Sequence, residues 1–371
     1  MINKIKLSLK MSLFALAIAL SIVGLTGIRV HAACTLPPEG LVSWWPGEMN
    51  AKDIVLTSGN NGTLQGGTTF TTGMVGQTFS FDGVDDYVNI GNKVKPPLPL
   101  TVSAWLYINS AGTNTIFRND LFNPSTRYYG VVLGIDSAGS VFSLVGNGGI
   151  AASYSRRNKT SISSLVPLGV WKHVAVVFNA PANQQHYVDG IEYSGTYDGS
   201  AGSLAYSSNN GTIGEWHSSD RYFDGQIDEV TVYNRALTAE EIQAIYAAGS
   251  SGKCKCNGWA VTLAGSEGND LLTGTIGPDV ILALGGDDTI DGLGGNDIIC
   301  AGLGNDVVNG GTGNDKIYGE GGNDVLNGDL GNDTLKGGPG EDDLDGGLDN
   351  NCDGGTGNDT EVNCGIINNV P

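Results

Sequence analysis

From Gly265 the chain divides every nine residues, nine times over, without an insertion or deletion: GSEGNDLLT, GTIGPDVIL, ALGGDDTID, GLGGNDIIC, AGLGNDVVN, GGTGNDKIY, GEGGNDVLN, GDLGNDTLK, GGPGEDDLD. Three columns hold throughout. The fourth place is Gly. The sixth is Asp: Asp270, Asp279, Asp288, Asp297, Asp306, Asp315, Asp324, Asp333 and Asp342. The eighth is aliphatic: Leu272, Ile281, Ile290, Ile299, Val308, Ile317, Leu326, Leu335 and Leu344. Gly and Asp are poor helix and strand formers, so no single unit can fold. A strict period of this length means units that stack on one another. The following unit, GGLDNNCD, is one residue short and lacks the Asp. GGTGNDTEV then restores Gly357 and Asp359 but puts Glu361 in the aliphatic place. The regular stack is therefore expected to fray from about Gly346.

Charge divides the chain at the same point. The formal net charge is -20, and residues 265–362 hold 21 acids against only Lys316 and Lys336. The remainder, with 18 acids and 17 bases, is nearly neutral. Such a balance argues against nucleic acid, whose phosphates it would repel, and favours cations. A single-sign block ordinarily marks a disordered tail, but the three columns argue otherwise.

The columns resemble the haemolysin-type calcium-binding repeat, the RTX nonapeptide G-G-x-G-x-D-x-U-x. The resemblance implies that six residues of each unit form a tight turn and three a short strand. Two units then make one coil of a parallel β-roll, with units n and n+2 superposed and the aliphatic residue pointing inward. Gly, and Asn at the fifth place, are expected to supply the positive φ of the turns. It also implies a cage of backbone carbonyls closed by Asp carboxylates, suited to Ca²⁺, with the nine column Asp residues and Asp359 as ligands. Extracellular modules bind Ca²⁺ at about 10⁻⁴–10⁻³ M, and at ten times Kd each site contributes roughly 1.4 kcal/mol. Seven n/n+2 pairs give on the order of 10 kcal/mol, comparable to the stability of a whole domain. The segment is thus expected to be unfolded without calcium and folded with it.

The N-terminus reads as a targeting segment. Lys4, Lys6 and Lys10 precede the apolar MSLFALAIALSIVGL, and VHA ends at Ala32 as a small-residue cleavage site. The apolar run is shorter than the roughly 20 residues of a spanning helix, so a signal peptide over 1–32 and no span in the mature chain are expected. Lipidation of Cys34 is the weaker alternative, because His31 stands where such signals carry Leu. An exported chain meets an oxidising compartment and calcium near millimolar. The N-terminal signal favours the general secretory route over the one-step export that often accompanies such repeats. The protein is expected to be secreted or held at the cell surface.

Short alternating stretches between Gly, Asn and Ser turns fill the near-neutral part: LVSWW, TFSFDG, YVNIG, TVSAWLYI, YYGVVLGI, VFSLVG, HVAVVFN, QQHYVDG, GTIGEW and EVTVYN. They predict a two-sheet jelly roll. One helix is expected near its end, with Thr238 and Glu241 as a capping box, Ile242, Ile245 and Tyr246 as its apolar side, and Gly249 as its stop. The blocks GLVSWWPGEMNAKDIVLTSGNNGTLQGG, FSFDGVDDYVNIG, WKHVAVVFN, YVDGIEYSG and GQIDEVTVYNRALTAEEIQAIYAAG resemble the laminin-G-like, concanavalin A-like jelly roll of bacterial surface proteins. The fold class is then all-β, a concanavalin A-like jelly roll followed by a parallel β-roll. The expected divisions are a signal peptide at 1–32, the jelly roll at 33–250, a linker at 251–264, the calcium-binding roll at 265–345 and a degenerate, disulfide-capped end at 346–371.

The fold does not fix the function. The resemblance implies a module that binds a glycan or a surface protein, and in some members a structural Ca²⁺. Candidate ligands for such an ion are Glu48, Asn50, Asp53 and Asn60, with Asp82 and Asp228; the alternative is turns whose Asp residues cap the backbone. Trp216, His217, Tyr222, Tyr128 and Tyr129 are candidates for an aromatic glycan platform, with core packing as the alternative. Enzyme signatures are absent. The E-x-D-x-x-E pattern of related hydrolases does not occur, Glu215 has no second acid at strand spacing, and His173, His186 and His217 lie near no nucleophile motif. A non-enzymatic recognition protein is the first reading. A purely structural surface protein is the second and a polysaccharide hydrolase the third.

Six cysteines allow fifteen pairings. The termini of a jelly roll commonly lie side by side, which favours Cys34–Cys254. Cys256–Cys300 would staple the first coils, and Cys352–Cys364 would close a short loop over the last Gly-Asp unit.

Overall fold

The structure, a computed structural model, describes residues 34–367 apart from 121, 124–126, 151, 163 and 217–220. The expected signal peptide and His217 lie outside the described residues.

Alternation along the strands builds the first domain. In Leu100–Ile108 the residues Leu100, Val102, Ala104, Leu106 and Ile108 enter one core, while Ser103 and Trp105 point the other way. Repeated across strands, this pattern gives two antiparallel sheets packed face to face. The first runs Ile191–Tyr193, Asn183–Val188, Lys172–Ala180, Leu100–Ile108, Asp224–Tyr233, Gln77–Asp82, Thr69–Thr72, with Leu41–Trp45 added to Asp224–Tyr233. The second runs Gly195–Gly199, Arg156–Ser161, Val141–Ile150, Arg127–Ile135, Asn114–Arg118, Thr212–Ile213, Tyr87–Asn89, Thr63–Gln65. Their shared core includes Trp45, Phe79, Phe81, Phe117, Phe178 and Phe223.

The helix Ala239–Ala248 starts at Thr238, whose Oγ1 accepts the Glu241 amide at 3.2 Å while the Thr238 amide donates to Glu241 Oε2 at 2.8 Å. This satisfies two amide donors at the helix start that would otherwise lack partners. Ile242 and Ile245 lie on Ala175, Val177, Tyr187 and Tyr233, on the outer face of the first sheet.

The segment 251–264, expected as a linker, is ordered. Thr35 bridges Lys253, Lys255–Cys256 pairs with Trp259–Ala260, and Leu263 already pairs with Ile281 of the roll. Cys254, Cys256 and Val261 pack with Val280, Ile298 and Cys300. Disulfides join Cys34 to Cys254 and Cys256 to Cys300, with Cα–Cα separations of 4.9 and 5.9 Å. Apolar burial and two covalent ties make this stretch the base of the roll.

Above it, successive units alternate between two parallel sheets. Leu272, Ile290, Val308, Leu326 and Leu344 lie in register on one, and Ile281, Ile299, Ile317 and Leu335 on the other. The two files meet in a core one residue wide, and all but Leu272 are wholly buried. The ladder does not fray at Gly346. The short unit shifts the repeat by one residue: Leu335 pairs with Cys352, and Asp343 with Thr360. Cys352 takes the aliphatic place, fully buried, and its bond to Cys364 spans 5.8 Å between Cα atoms. A missing turn residue thus leaves the strands in place.

Candidate metal centre

From Asp288 to Asp342 each column Asp puts its two oxygens to different uses. Oδ1 accepts the amide of the column Asp one coil earlier: Asp279 N to Asp297, Asp297 N to Asp315 and Asp270 N to Asp288 at 2.8 Å, and Asp306 N to Asp324 and Asp324 N to Asp342 at 2.9 Å. The ladder reaches Asp359, which accepts from Asp342 N at 3.1 Å. Oδ2 points into the turn. In Asp288, Asp297, Asp306, Asp315, Asp324 and Asp342 this oxygen is buried and has no hydrogen-bond partner.

A buried carboxylate oxygen without a partner is costly, and here the cost recurs along the stack. Burial first, and then the charge of neighbouring Asp residues, pushes the carboxyls of Asp297 and Asp324 up to about 7 and that of Asp315 up to about 6. Asp288, Asp306, Asp333 and Asp342 shift the same way for the same first cause. The column is therefore built for a positive partner.

The space beside each Oδ2 is shaped for one. A Cβ on the first-place Gly292 would stand 2.7 Å from Asp297 Oδ2 and 2.6 Å from the Gly310 carbonyl oxygen; on Gly310 it would meet Asp315 Oδ2 at 2.7 Å and the Gly328 carbonyl at 3.1 Å. Gly319 and Gly337 face the matching oxygens of Asp324 with Gly337 and of Asp342 with Gly354. Carboxylate and carbonyl oxygens of consecutive coils thus converge where glycine leaves room. A donor set of hard oxygens alone fits Ca²⁺. Units three and five carry Ala283 and Ala301 instead, both wholly buried, which narrows the cradles of Asp288 and Asp306.

Two positions differ from the expectation. Asn at the fifth place does not supply positive φ. That conformation belongs to the second place, even at Leu284, Leu293, Glu320 and Asp329, and to the fourth, as at Gly295, Gly304 and Gly313. A Cβ on Gly313 would collide with the Gly295 carbonyl oxygen. The fifth-place side chain forms an outer ladder instead: Asn296 Oδ1 accepts from Asn314 N and Asn314 Oδ1 from Asn332 N, both at 2.8 Å, and Asn305 Oδ1 accepts from Asn323 N at 2.9 Å. The second difference lies at the start of the roll. Asp270 Oδ2 accepts Ser266 N at 2.5 Å and Ser266 Oγ at 2.9 Å; Asp279 Oδ2 accepts Thr275 N at 2.7 Å and Thr275 Oγ1 at 2.9 Å. These two carboxylates already have partners.

In the jelly roll the structure does not bring Asp53, Asp82 and Asp228 together into one site. Asp53 accepts Trp44 N at 2.9 Å, Val55 N at 3.1 Å and Ser58 Oγ at 2.7 Å, so it caps the first loop. Glu48 accepts Gln77 N, Asn50 accepts Lys52 N, and Asn60 donates to Ser43 Oγ. Asp82 lies instead with Asp85 and Asp86, their ligand atoms within 4.8 Å of one another. Both Asp86 oxygens are used, on Gly67 N and Asp82 N, and Asp82 Oδ1 accepts Val84 N. Asp228 is buried four residues beyond Asp224, the strand partner of Asp82. It accepts Val75 N at 2.9 Å, and burial together with the Glu229 charge pushes its carboxyl up to about 8.

Beside it stands a network that sequence reasoning missed. Glu229, at a bulge with φ of 55°, takes Lys253 Nζ at 2.7 Å and Lys255 Nζ at 3.0 Å. Burial opposes its charge, but the two lysines outweigh burial and hold the carboxyl below its usual range. The signal was weak: KCK follows the helix with no acid nearby in sequence.

Of the aromatic candidates, Tyr128 and Trp216 belong to a buried cluster with Val132, Phe142 and Leu144, while Tyr222 lies against Tyr87 at 6.4 Å between ring centroids. Glu215 is buried in an ion pair with Arg118 at 2.8 Å. A polar cleft of about 380 Å³ opens between Asp82, Ser110, Asn114, Arg221, Tyr222 and Asp224. Among the described residues no helix is long and apolar enough to cross a membrane.

Residues 82–243 match the family model of the concanavalin A-like lectin/glucanases superfamily. Residues 264–299, 301–335 and 321–351 match that of the RTX calcium-binding nonapeptide repeat. Among solved structures, the chain is similar to domain 4 of AbnA, an extracellular arabinanase from Geobacillus stearothermophilus, in complex with arabinotriose. Identity is 19%, coverage 55% of this chain and 96% of that one, and the TM-score 0.40. It is also similar to the binding domain of Paraclostridial Mosquitocidal Protein 1, at 13% identity, 56% and 52% coverage and a TM-score of 0.42. A third is the botulinum neurotoxin serotype D ligand-binding domain in complex with N-acetylneuraminic acid, at 15%, 56%, 50% and 0.40. No curated protein matches the chain.

Proposed function

We propose that this chain, a concanavalin A-like jelly roll followed by RTX calcium-binding repeats, is an exported surface protein. In this reading the jelly roll recognises a glycan and the roll is a spacer that calcium folds. The observation that carries the calcium part is the column of buried Oδ2 atoms without partners, of which those of Asp297, Asp315, Asp324 and Asp342 each face a carbonyl of the next coil. Bound Ca²⁺ would supply the positive charge those oxygens lack. The chain's own residues do the rest: the Oδ1 ladder fixes the carboxylates, the first-place glycines keep the cradles open, and the aliphatic file holds the coils in register.

Three disulfides support an oxidising destination. For recognition, the cleft at Asp82, Ser110, Asn114, Arg221, Tyr222 and Asp224 offers the mixed donors and acceptors, with one aromatic ring, that a sugar's hydroxyls and apolar face engage. The reading is non-enzymatic: among the described residues Glu215, beside the aromatic loop, is held by Arg118.

A glycan array probed with the full chain in millimolar Ca²⁺ and in EGTA, alongside circular dichroism, tests both parts. Calcium-dependent spectra with glycan hits support the whole reading. Calcium-dependent spectra without hits leave a structural surface protein in place of a lectin. A calcium-insensitive spectrum refutes the role of the roll.

A further inference from the structure

The nine column carboxylates are not equivalent, and the difference follows the stack. In the first two units the second place is Ser266 and Thr275, and hydroxyl and amide together occupy Oδ2 of Asp270 and Asp279. The same hydroxyls accept the fourth-place amides, Gly268 N at 3.3 Å and Gly277 N at 3.1 Å. Thr262 Oγ1 adds a bond to Asp279 Oδ1 at 3.3 Å from below. From the third unit to the ninth the second place holds no hydroxyl, only Leu, Gly, Glu or Asp.

The backbone records the same division independently. Second-place residues from Leu284 to Gly338 all have positive φ, between 64 and 113°, whereas Ser266 and Thr275 do not. Fourth-place glycines from Gly286 to Gly331 have φ between 116 and 155°, whereas Gly268 and Gly277 at the start, and Gly340 in the last unit, do not. Two turns are thus closed by their own side chains, and those of Asp288, Asp297, Asp306, Asp315, Asp324 and Asp342 above them hold partnerless oxygens.

We infer that the first two turns bind no calcium: the hydroxyls of Ser266 and Thr275 stand where the cation stands in later turns, so the metal column begins at the third unit. These turns sit on the base held by Cys256–Cys300 and by Val261, Val280 and Ile298. They form a metal-free start on which the calcium-dependent coils assemble from the jelly roll outward. The inference rests on the calcium reading above.

The test is the number of Ca²⁺ ions bound per full-length chain, by equilibrium dialysis with atomic absorption, for the wild type, Asp279→Asn, Asp315→Asn and the double variant Ser266→Gly/Thr275→Gly. Asn retains the Oδ1 acceptor in both single variants. The expected result is an unchanged count for Asp279→Asn, at least one ion lost for Asp315→Asn, and one or two ions gained by the double variant. A loss for Asp279→Asn equal to that for Asp315→Asn overturns the inference and leaves calcium binding intact. So does a double variant that keeps the calcium-bound circular dichroism spectrum yet gains no ion; should it not fold, the Asp279→Asn count decides. A wild type that binds no calcium overturns the calcium reading and this inference with it.

Discussion

Asp324 separates the two tasks of a column carboxylate. Its Oδ1 accepts Asp306 N at 2.9 Å, and its Oδ2 is buried without a partner beside Gly319 and the Gly337 carbonyl. Asp324→Asn keeps the shape and the first bond but replaces Oδ2 with an amide that repels a cation. At calcium near ten times Kd, the lost site is worth about 1.4 kcal/mol. With four of the glycine-lined cradles coupled, those of Asp297, Asp315, Asp324 and Asp342, an e-fold rise in calcium adds about 2.4 kcal/mol near saturation. The calcium midpoint of folding should therefore rise about two-fold. Asp324→Ala also strands the buried Asp306 amide, which costs a further ~1–3 kcal/mol, so its midpoint should rise about three- to six-fold. Calcium titrations followed by circular dichroism on the full chain read both shifts. The reasoning is refuted if Asp324→Asn folds at the wild-type calcium concentration, or if both variants shift equally.

Three further outcomes are expected. His173 and His186 are buried, and burial, followed by the charge of Lys253 and Lys159 respectively, lowers both rings to about 3. Their folded pKa lies below the unfolded value, so their contribution is complete above about pH 6.5 and is lost as pH falls towards 3, by about 1.4 kcal/mol per pH unit for each ring. His173→Phe, placed between Trp105 and Tyr246, should reduce the fall in jelly-roll Tm between pH 7 and pH 5; an unchanged fall contradicts this. Lys253→Met leaves Glu229 buried with only Lys255, and denaturation should show a loss of about 3–5 kcal/mol. Cys352→Ser/Cys364→Ser should raise hydrogen exchange across 343–364 with the jelly roll unchanged, since such loops contribute about 2–4 kcal/mol.

The roll was legible because its period is a structural constant. The Asp and aliphatic columns mark the ladder and the core, and superposition of units n and n+2 follows from alternating sheets. Individual places were harder to read. Asn at the fifth place suits a left-handed turn and a side-chain ladder equally, and only the inter-coil distance selects the ladder. Ser266 and Thr275 look like ordinary variation in a variable column until their hydroxyls are seen on the carboxylates. GGLDNNCD reads as a break because a missing residue is visible in sequence, whereas the capacity of a turn to absorb it is not. In the jelly roll, Thr238 and Glu241 announce the helix locally. The Glu229 network joins residues more than twenty apart across a bulge, and no short pattern encodes it.

Alternation of units between two sheets gives the roll a parity. Tyr318, two units beyond Cys300, returns to the same sheet, where it packs against the Cys256–Cys300 cluster and its hydroxyl meets Asn257 Nδ2 at 2.5 Å. A replication slip that duplicates two units further up the roll adds a complete coil and leaves every later residue on its own side. Duplicating a single unit between Cys300 and Tyr318 sends Tyr318 to the opposite sheet and strips the base of its cover. Heritable changes in the length of this roll should therefore accumulate as even numbers of units, so that the gene lengthens by coils while the protein keeps the same face towards the jelly roll.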